Sequence, residues 1–163
     1  GFMYRLPEVA AAMGLAQLEK IDWFVGKRIK MGNMYCDVIN SNKCSWLRPQ
    51  SVPKEDFNCY YTFAARFMHP DISWHTFRKK HVENGGDGIF AAWTLCYQED
   101  SITEIKKRLE SMGLGGRLNT KMGICANAEL IQKELMQFTT NQKDDEEMEI
   151  QAQALEKTIK YFS

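Results

Sequence analysis

Three histidines and five cysteines are the side chains in this sequence that could bind a metal or act as nucleophiles. They are His69, His75 and His81, and Cys36, Cys44, Cys59, Cys96 and Cys125. The histidine spacing does not place them on one helix face, and no cysteine or carboxylate joins them in a metal-ligand pattern. The cysteine count is odd and no C-x-x-C pair occurs, which favours reduced thiols over a disulfide framework or a zinc ribbon. We therefore expect no metal site and no cysteine nucleophile.

Two glycine-rich stretches and one acidic run are the remaining candidates for chemistry. The stretch GLGG (113–116) lacks the G-x-x-x-x-G-K-[ST] spacing of a phosphate-binding loop, so we predict an ordinary loop. The stretch GGDG (85–88) predicts a tight turn, which accounts for Asp87 without a catalytic role. The acids 144–147 begin a helix, where the helix dipole favours negative charge. No Ser/His/Asp triad can be assembled from these spacings, so the residues alone indicate no self-sufficient active site.

Composition narrows the class of protein. Lysine plus arginine and aspartate plus glutamate both number 21 in 163 residues, and this balance argues against a nucleic-acid binder or a protein of anionic membranes. The chain is 44% hydrophobic, as soluble globular proteins are. It has no apolar run approaching the ~18 residues that a membrane span needs, and no signal peptide. We expect one cytoplasmic domain, or one domain with a long appended helix.

The N-terminal segment predicts one long helix over residues 7–41. Pro7 suits a first helical turn, and apolar residues then recur at helical spacing with a wide apolar stripe in the N-terminal half. The small residues around Gly14 allow another backbone to approach closely. We therefore divide the chain into a long N-terminal helix, residues 1–40, and an α+β layer domain, residues 56–163.

The rest of the chain alternates between short strands and helices. Strands are predicted at 57–68, 89–97 and 135–140, and helices at 71–84, 99–113, 125–136 and 141–162. Asp71 or Ser73 can cap the helix at 71–84. Ser101 and Glu104 form a capping-box pattern, and Gly113 is suited to end that helix. The last helix carries one apolar stripe, formed by Met148, Ala152, Leu155, Ile159 and Phe162. Three strands with helices gathered about them predict an α+β fold.

The opening stretch GFMYRLPEVAAAMGLAQLEKID (1–22) resembles the start of the C-terminal segment in the DegT/DnrJ/StrS family. These proteins are pyridoxal-phosphate-dependent sugar aminotransferases of fold type I, and related dehydratases. Their segment runs G-[YF]-N-Y-R-M and, a few residues on, A-A-x-G-L-x-Q-L-x-x-[ILM]-D. The matching residues are Tyr4, Arg5, Ala11, Ala12, Gly14, Leu15, Gln17, Leu18 and Asp22. A less specific similarity follows the order of the family's small domain through the rest of the chain.

The resemblance implies a long helix followed by a small antiparallel sheet of about three strands packed with helices. It implies a parent protein that is a homodimer, uses pyridoxal 5′-phosphate, and transfers an amino group from an amino-acid donor to a nucleotide-linked keto sugar. In the family, the lysine that forms the Schiff base with the cofactor precedes a G-E-G-G run in an earlier large domain. No such run occurs here, so we expect this C-terminal domain to be inactive alone and to hold no cofactor.

The same resemblance places Met3, Tyr4 and Arg5 beside the cofactor. The family's asparagine at the position of Met3 commonly reaches the cofactor phosphate of the neighbouring subunit, and a methionine cannot donate that hydrogen bond. Arg5 matches the motif and suits either an anionic group near the site or a structural ion pair.

Two other interpretations of the chain stay open at this point. It could be a stand-alone interaction or regulatory domain without catalysis. Its parent could also be one of the family's dehydratases, in which a histidine replaces the Schiff-base lysine upstream of this segment.

Overall fold

The computed structural model describes residues 5–91, 94–116 and 118–163, and these contain six α-helices, one 3-10 helix (Cys96–Gln98) and four strands. The helices are α1 (Glu8–Leu18), α2 (Ile21–Ser41), α3 (Trp74–Glu83), α4 (Asp100–Ser111), α5 (Ala126–Gln132) and α6 (Asp145–Phe162). The strands are β1 (Leu47–Pro49), β2 (Phe63–Phe67), β3 (Phe90–Ala91) and β4 (Leu135–Phe138). The predicted α+β fold is thereby confirmed.

The four strands form one antiparallel sheet in the order β1-β2-β4-β3. β2 and β4 lie at its centre, with Phe63 opposite Phe138 and Ala65 opposite Met136. The edge strand β1 was not predicted, because it has only three residues and ends in a proline within a stretch typical of loops. Its proline is tolerated at the edge, where a missing N–H breaks no ladder.

One face of the sheet is buried against helices. Side chains alternate along β2, so Phe63, Ala65 and Phe67 point into the core while Ala64 and Arg66 lie on the other, partly open face. α6 covers the buried face and contacts both α2 and α3. Its predicted apolar stripe is confirmed: Met148, Ala152, Leu155 and Ile159 are buried and Phe162 is half-buried.

The N-terminal segment differs from its prediction, since it forms two helices rather than one continuous helix. The break lies at Glu19–Lys20, where Lys20 has φ −113° and ψ 9° and its N–H donates to the carbonyl of Gln17 at 3.1 Å. No glycine or proline marks the break. Of these two helices, only α2 contributes to the core, through Met31, Tyr35 and Ile39. α1 has no buried residue.

The strand predicted over 57–68 forms only in its second half. The chain turns at Tyr60, whose φ of +47° is in the left-handed region, and the ring of Tyr60 stacks on Phe63. That ring lies over Gly32 of α2, where an added Cβ would come within 2.5 Å of the ring atom Cγ. A tertiary contact therefore overrides the alternating apolar pattern before residue 63.

The helix ends in the structure agree with the sequence-based predictions at two places and differ from them at one. The side chain of Ser73, one of the two predicted cap residues, accepts a hydrogen bond from the N–H of Thr76 and caps α3. Gly113 follows α4 with φ +72°. The capping box predicted at Ser101 is wrong, because α4 begins earlier, with Glu99 in the cap position and no side-chain cap.

Among the helices described, none combines the length and the hydropathy that crossing a membrane requires.

Replacing Gly32 by alanine tests the contact between α2 and Tyr60. Because the new methyl group would overlap the Tyr60 ring, we expect Gly32→Ala to lower the free energy of unfolding by about 1–3 kcal/mol in urea titrations. Gly26→Ala is the matched control: it lies in the same helix, meets no described atom within 4 Å, and should add about 0.5–1 kcal/mol. Equal effects of the two substitutions would contradict the close packing.

Candidate functional site

The residues predicted to lie beside a cofactor are at the start of the chain. Met3 and Tyr4 fall outside the described residues, so their predicted role stays a prediction. Arg5 is described: it is exposed, lies just before α1, and makes no hydrogen bond or ion pair with another residue in the described ranges. The structural ion pair considered for it is not formed with any of these residues, and its role beside the cofactor stays a prediction.

The surface of α1 carries several exposed apolar side chains close together in the sequence. We define the α1 surface as the apolar side chains of Leu6, Val9, Met13, Leu15 and Leu18, which are between 61% and 74% exposed. They lie on more than one side of the helix, and the first residues of α2 extend them through Ile21 and Trp23. A helix that is apolar all round is normally buried, and a large exposed apolar patch marks an interaction site.

The GGDG turn joins the sheet to α6 through Asp87. The N–H of Asp87 donates to Gln151 Oε1 at 2.7 Å, and its carboxylate accepts hydrogen bonds from Thr139 (2.7 Å) and Gln142 (3.1 Å). Gly85 takes the left-handed conformation the turn needs, with φ +93°. These contacts occupy the Asp87 carboxylate and give it a structural role.

His81 is buried beneath this turn. Its ring is 1% exposed, is parallel to Phe77 and perpendicular to Phe138, and lies against Gly86, which has no room for a Cβ. The Nδ1 atom has no hydrogen-bond partner in the described part of the chain. Burial disfavours the charged ring and lowers the pKa of His81 to about 4, against the opposing influence of Asp87.

The three histidines and five cysteines do not converge. His75 is exposed, His69 is half-buried with Nε2 facing the carbonyl of Phe162 at 3.1 Å, and His81 is enclosed by apolar rings. All five cysteines are free. In the described ranges, no group of three His, Cys, Asp or Glu side chains is arranged to hold a metal ion.

The described residues do not fit pyridoxal phosphate. Each lysine among them is exposed or half-buried, and Lys27 and Lys143 line one pocket. An amine that attacks a carbonyl is activated by a lowered pKa, whereas the Glu147 carboxylate, 3.0 Å away, raises the pKa of Lys143. The Nζ of Lys27 donates to the carbonyl of Lys143. Neither lysine has the environment of a cofactor-binding amine.

The sequence reasoning missed a cationic pocket at the start of α2. Trp23 and Lys27 are four residues apart, as are Phe24 and Arg28, so both pairs share one helix face. The Nζ of Lys27 lies 4.5 Å from the centre of the Trp23 ring. This repeated aromatic–cation spacing is the signal that could have identified the pocket.

Comparison with solved structures places this architecture among aminotransferases. The chain matches the aminotransferase from Psychrobacter cryohalolentis with a TM-score of 0.69 at 16% identity, over 99% of this chain and 41% of that one. It matches PseC of Helicobacter pylori, an aminotransferase involved in the biosynthesis of pseudoaminic acid, with a TM-score of 0.70 at 17% identity, over 99% and 40%. It matches the aminotransferase TlmJ from Streptoalloteichus hindustanus with a TM-score of 0.65 at 17% identity, over 95% and 37%.

The fold is thus that of a domain within aminotransferases, and the chain spans about 40% of the length of these structures. Residues 1–81 match the sequence profile of the DegT/DnrJ/EryC1/StrS aminotransferase family. The resemblance inferred from the opening 22 residues is confirmed. No curated protein matches the chain by sequence.

The burial of His81 predicts a pH-dependent stability. The ring has its ordinary pKa of 6.5 in the unfolded chain and about 4 in the folded one, so between these values the unfolded chain binds more protons. Stability is therefore full above about pH 6.5 and falls as the pH drops toward 4, by about 3 kcal/mol in total. Urea titrations at several pH values in this range measure the free energy of unfolding of the wild type and of His81→Gln. This free energy should change less with pH in the variant than in the wild type.

His75→Gln is the control for this measurement, because His75 is exposed. His75→Gln should show the same change of unfolding free energy with pH as the wild type. The assignment of this pH dependence to the burial of His81 is wrong if His81→Gln and the wild type lose stability in parallel between pH 6.5 and 4.

Proposed function

We propose that this chain is the C-terminal small domain of a pyridoxal-phosphate-dependent aminotransferase that acts on a nucleotide-linked keto sugar. The observation that carries the proposal is the α1 surface, in a segment that matches the aminotransferase family profile. The cofactor, when bound to the rest of the enzyme, supplies the electron sink for amino-group transfer. The sugar substrate, the amino-acid donor and the cytoplasmic homodimer follow from the family resemblance.

The two N-terminal helices have different tasks in this proposal. α2 is anchored in the core by Met31, Tyr35 and Ile39, so its direction is set by the small domain. α1 has no partner in the described part of the chain that buries it. We infer that α1 packs against the catalytic part of the enzyme and thereby fixes the small domain beside the active site.

Catalysis is assigned to residues beyond this domain. The exposed guanidinium of Arg5 lies at the N-terminal end of the α1 surface, where it would face an anionic group held between the two parts of the enzyme. No described lysine is suited to hold the cofactor. The contribution of this domain is therefore to shape the substrate entrance and to support dimer contacts.

Mixing the isolated chain with pyridoxal phosphate and sodium borohydride tests the assignment. We expect labelling well below one equivalent, scattered over several exposed lysines, because no lysine in the described ranges is buried. Peptide mass mapping of the reduced adducts measures both the amount and the positions.

Lys27→Arg is the matched variant, since Lys27 is the half-buried lysine of the pocket at α2. It should leave the labelling pattern unchanged. One equivalent on a single lysine of the wild type, lost in the corresponding arginine variant, would show that the chain carries its own cofactor site and would overturn the proposal.

A further inference from the structure

The open face of the sheet carries two cavities, one on each side of Leu135 in β4. The first, of about 350 Å³, lies over β1 and β2 and includes Arg48, Ala64 and Arg66 in its wall. The second, of about 340 Å³, lies between β4 and α5 and includes Leu95. Leu135 belongs to both walls, so the two cavities form one trough. We call it the open-face trough and define it by Arg48, Ala64, Arg66, Leu95 and Leu135.

Two arginines lie directly opposite each other at the β1 end of the trough. Arg48 pairs with Arg66 in the antiparallel register of β1 and β2, so both are on the open face, where like charges repel. Arg66 is neutralised, since its Nε and Nη2 donate to Glu134 Oε2 at 2.9 Å and 2.5 Å. Arg48 is exposed and makes no hydrogen bond or ion pair with another residue in the described ranges. These three side chains therefore leave one positive charge without a partner.

The trough is apolar beyond the arginines. Ala64 and Leu135 are outward-facing residues of the two central strands, and both are half-buried. Leu95 continues the apolar wall on the far side of β4. Because adjacent strands lie about 4.8 Å apart, β1 and β4 are separated by about 10 Å, the extent of an unbranched chain of about eight carbons. A ligand with one negative charge at Arg48 and an apolar tail across Leu135 matches this distribution.

The free edge of β1 does not suit an extended peptide. The N–H of Gln50 donates to the carbonyl of Ala64 at 3.1 Å, so the backbone groups of the alternate residues Arg48 and Gln50 face β2. Those of Leu47 and Pro49 face away from the sheet, and Pro49 has no N–H. An added strand would find few donors at this edge, which favours a small molecule over a peptide as the occupant of the trough.

We propose that the open-face trough binds an aliphatic carboxylate, with the carboxylate on Arg48 and the unbranched chain lying across Leu135 toward Leu95. The guanidinium of Arg48 supplies the planar fork of donors that a carboxylate accepts. Burial of the chain against Ala64 and Leu135 removes apolar surface from water. The site is formed by one face of the sheet and the segments beside it, so it does not depend on the aminotransferase proposal.

Titration of the chain with octanoate, octan-1-ol and glutamate tests the proposal. Isothermal calorimetry measures the affinities, and the methyl signals of Leu135 and Leu15 in two-dimensional NMR locate the ligand. We expect octanoate to bind about tenfold more tightly than octan-1-ol, which lacks the charge. Octanoate should shift the Leu135 signals at lower concentration than those of Leu15 in the exposed α1. Glutamate has carboxylates but no apolar chain, so it should leave Leu135 unshifted.

Three variants separate the trough from other charged or apolar surface. Arg48→Gln removes the unpaired charge and should weaken octanoate binding about tenfold while leaving octan-1-ol binding unchanged. Ala64→Leu fills the trough from the open face and should abolish the Leu135 shift by both ligands. Arg108→Gln removes an exposed arginine of α4 and should change nothing.

The proposal is overturned if octanoate does not bind, leaves Leu135 unshifted, binds no better than octan-1-ol, or binds Arg48→Gln as it binds the wild type. A second copy of the chain is the alternative occupant of this face. Self-association that Ala64→Leu abolishes in sedimentation experiments, together with no octanoate binding, would overturn the proposal and assign the face to that copy.

Discussion

The packing of Tyr35 between two strands holds α2 to the sheet, and the remaining geometry depends on it. The ring centre of Tyr35 lies 5.1 Å from that of Phe63 in β2 and 5.4 Å from that of Phe138 in β4. Its hydroxyl donates to the carbonyl of Thr139 at 3.2 Å, and burial raises the pKa of this phenol. The contact fixes α2 in register with the end of β4, and two turns earlier this brings Arg28 against Thr140. It also sets the direction in which α1 leaves the domain.

The hydrophobic core is complete without α1, so the apolar residues of α1 are not needed to stabilise the fold. α2, α3 and α6 cover one face of the sheet, and their buried residues form one cluster with those of β1, β2 and β4. α1 adds no buried residue to that cluster, although its sequence is the most apolar and the most clearly related to the aminotransferase family. An exposed apolar helix of this kind is typical of a surface that packs against another protein surface.

The sequence predicted the elements whose patterns are strong and local. The stripe of α6, the Ser73 cap of α3 and the GGDG turn all follow from residue types and spacing. The turn at Tyr60 and the edge strand β1 could not be predicted, because each depends on contacts with other parts of the chain. The break at Lys20 could not be predicted either, because no glycine or proline marks it. The candidate site divides in the same way: the opening motif pointed to the family, whereas the cationic pocket at the start of α2 forms only where α2 meets the segment after β4.

Amide hydrogen exchange of the isolated chain tests the central claim that α1 lacks its partner in this domain. A helix of 11 residues without buried side chains is marginal in water, so the account predicts that α1 amides exchange close to the rate of an unfolded chain. The amides of α6 and of the second half of α2 should be protected by the core. Protection of α1 equal to that of α6 would contradict the account, because it would show that this chain already supplies everything α1 needs.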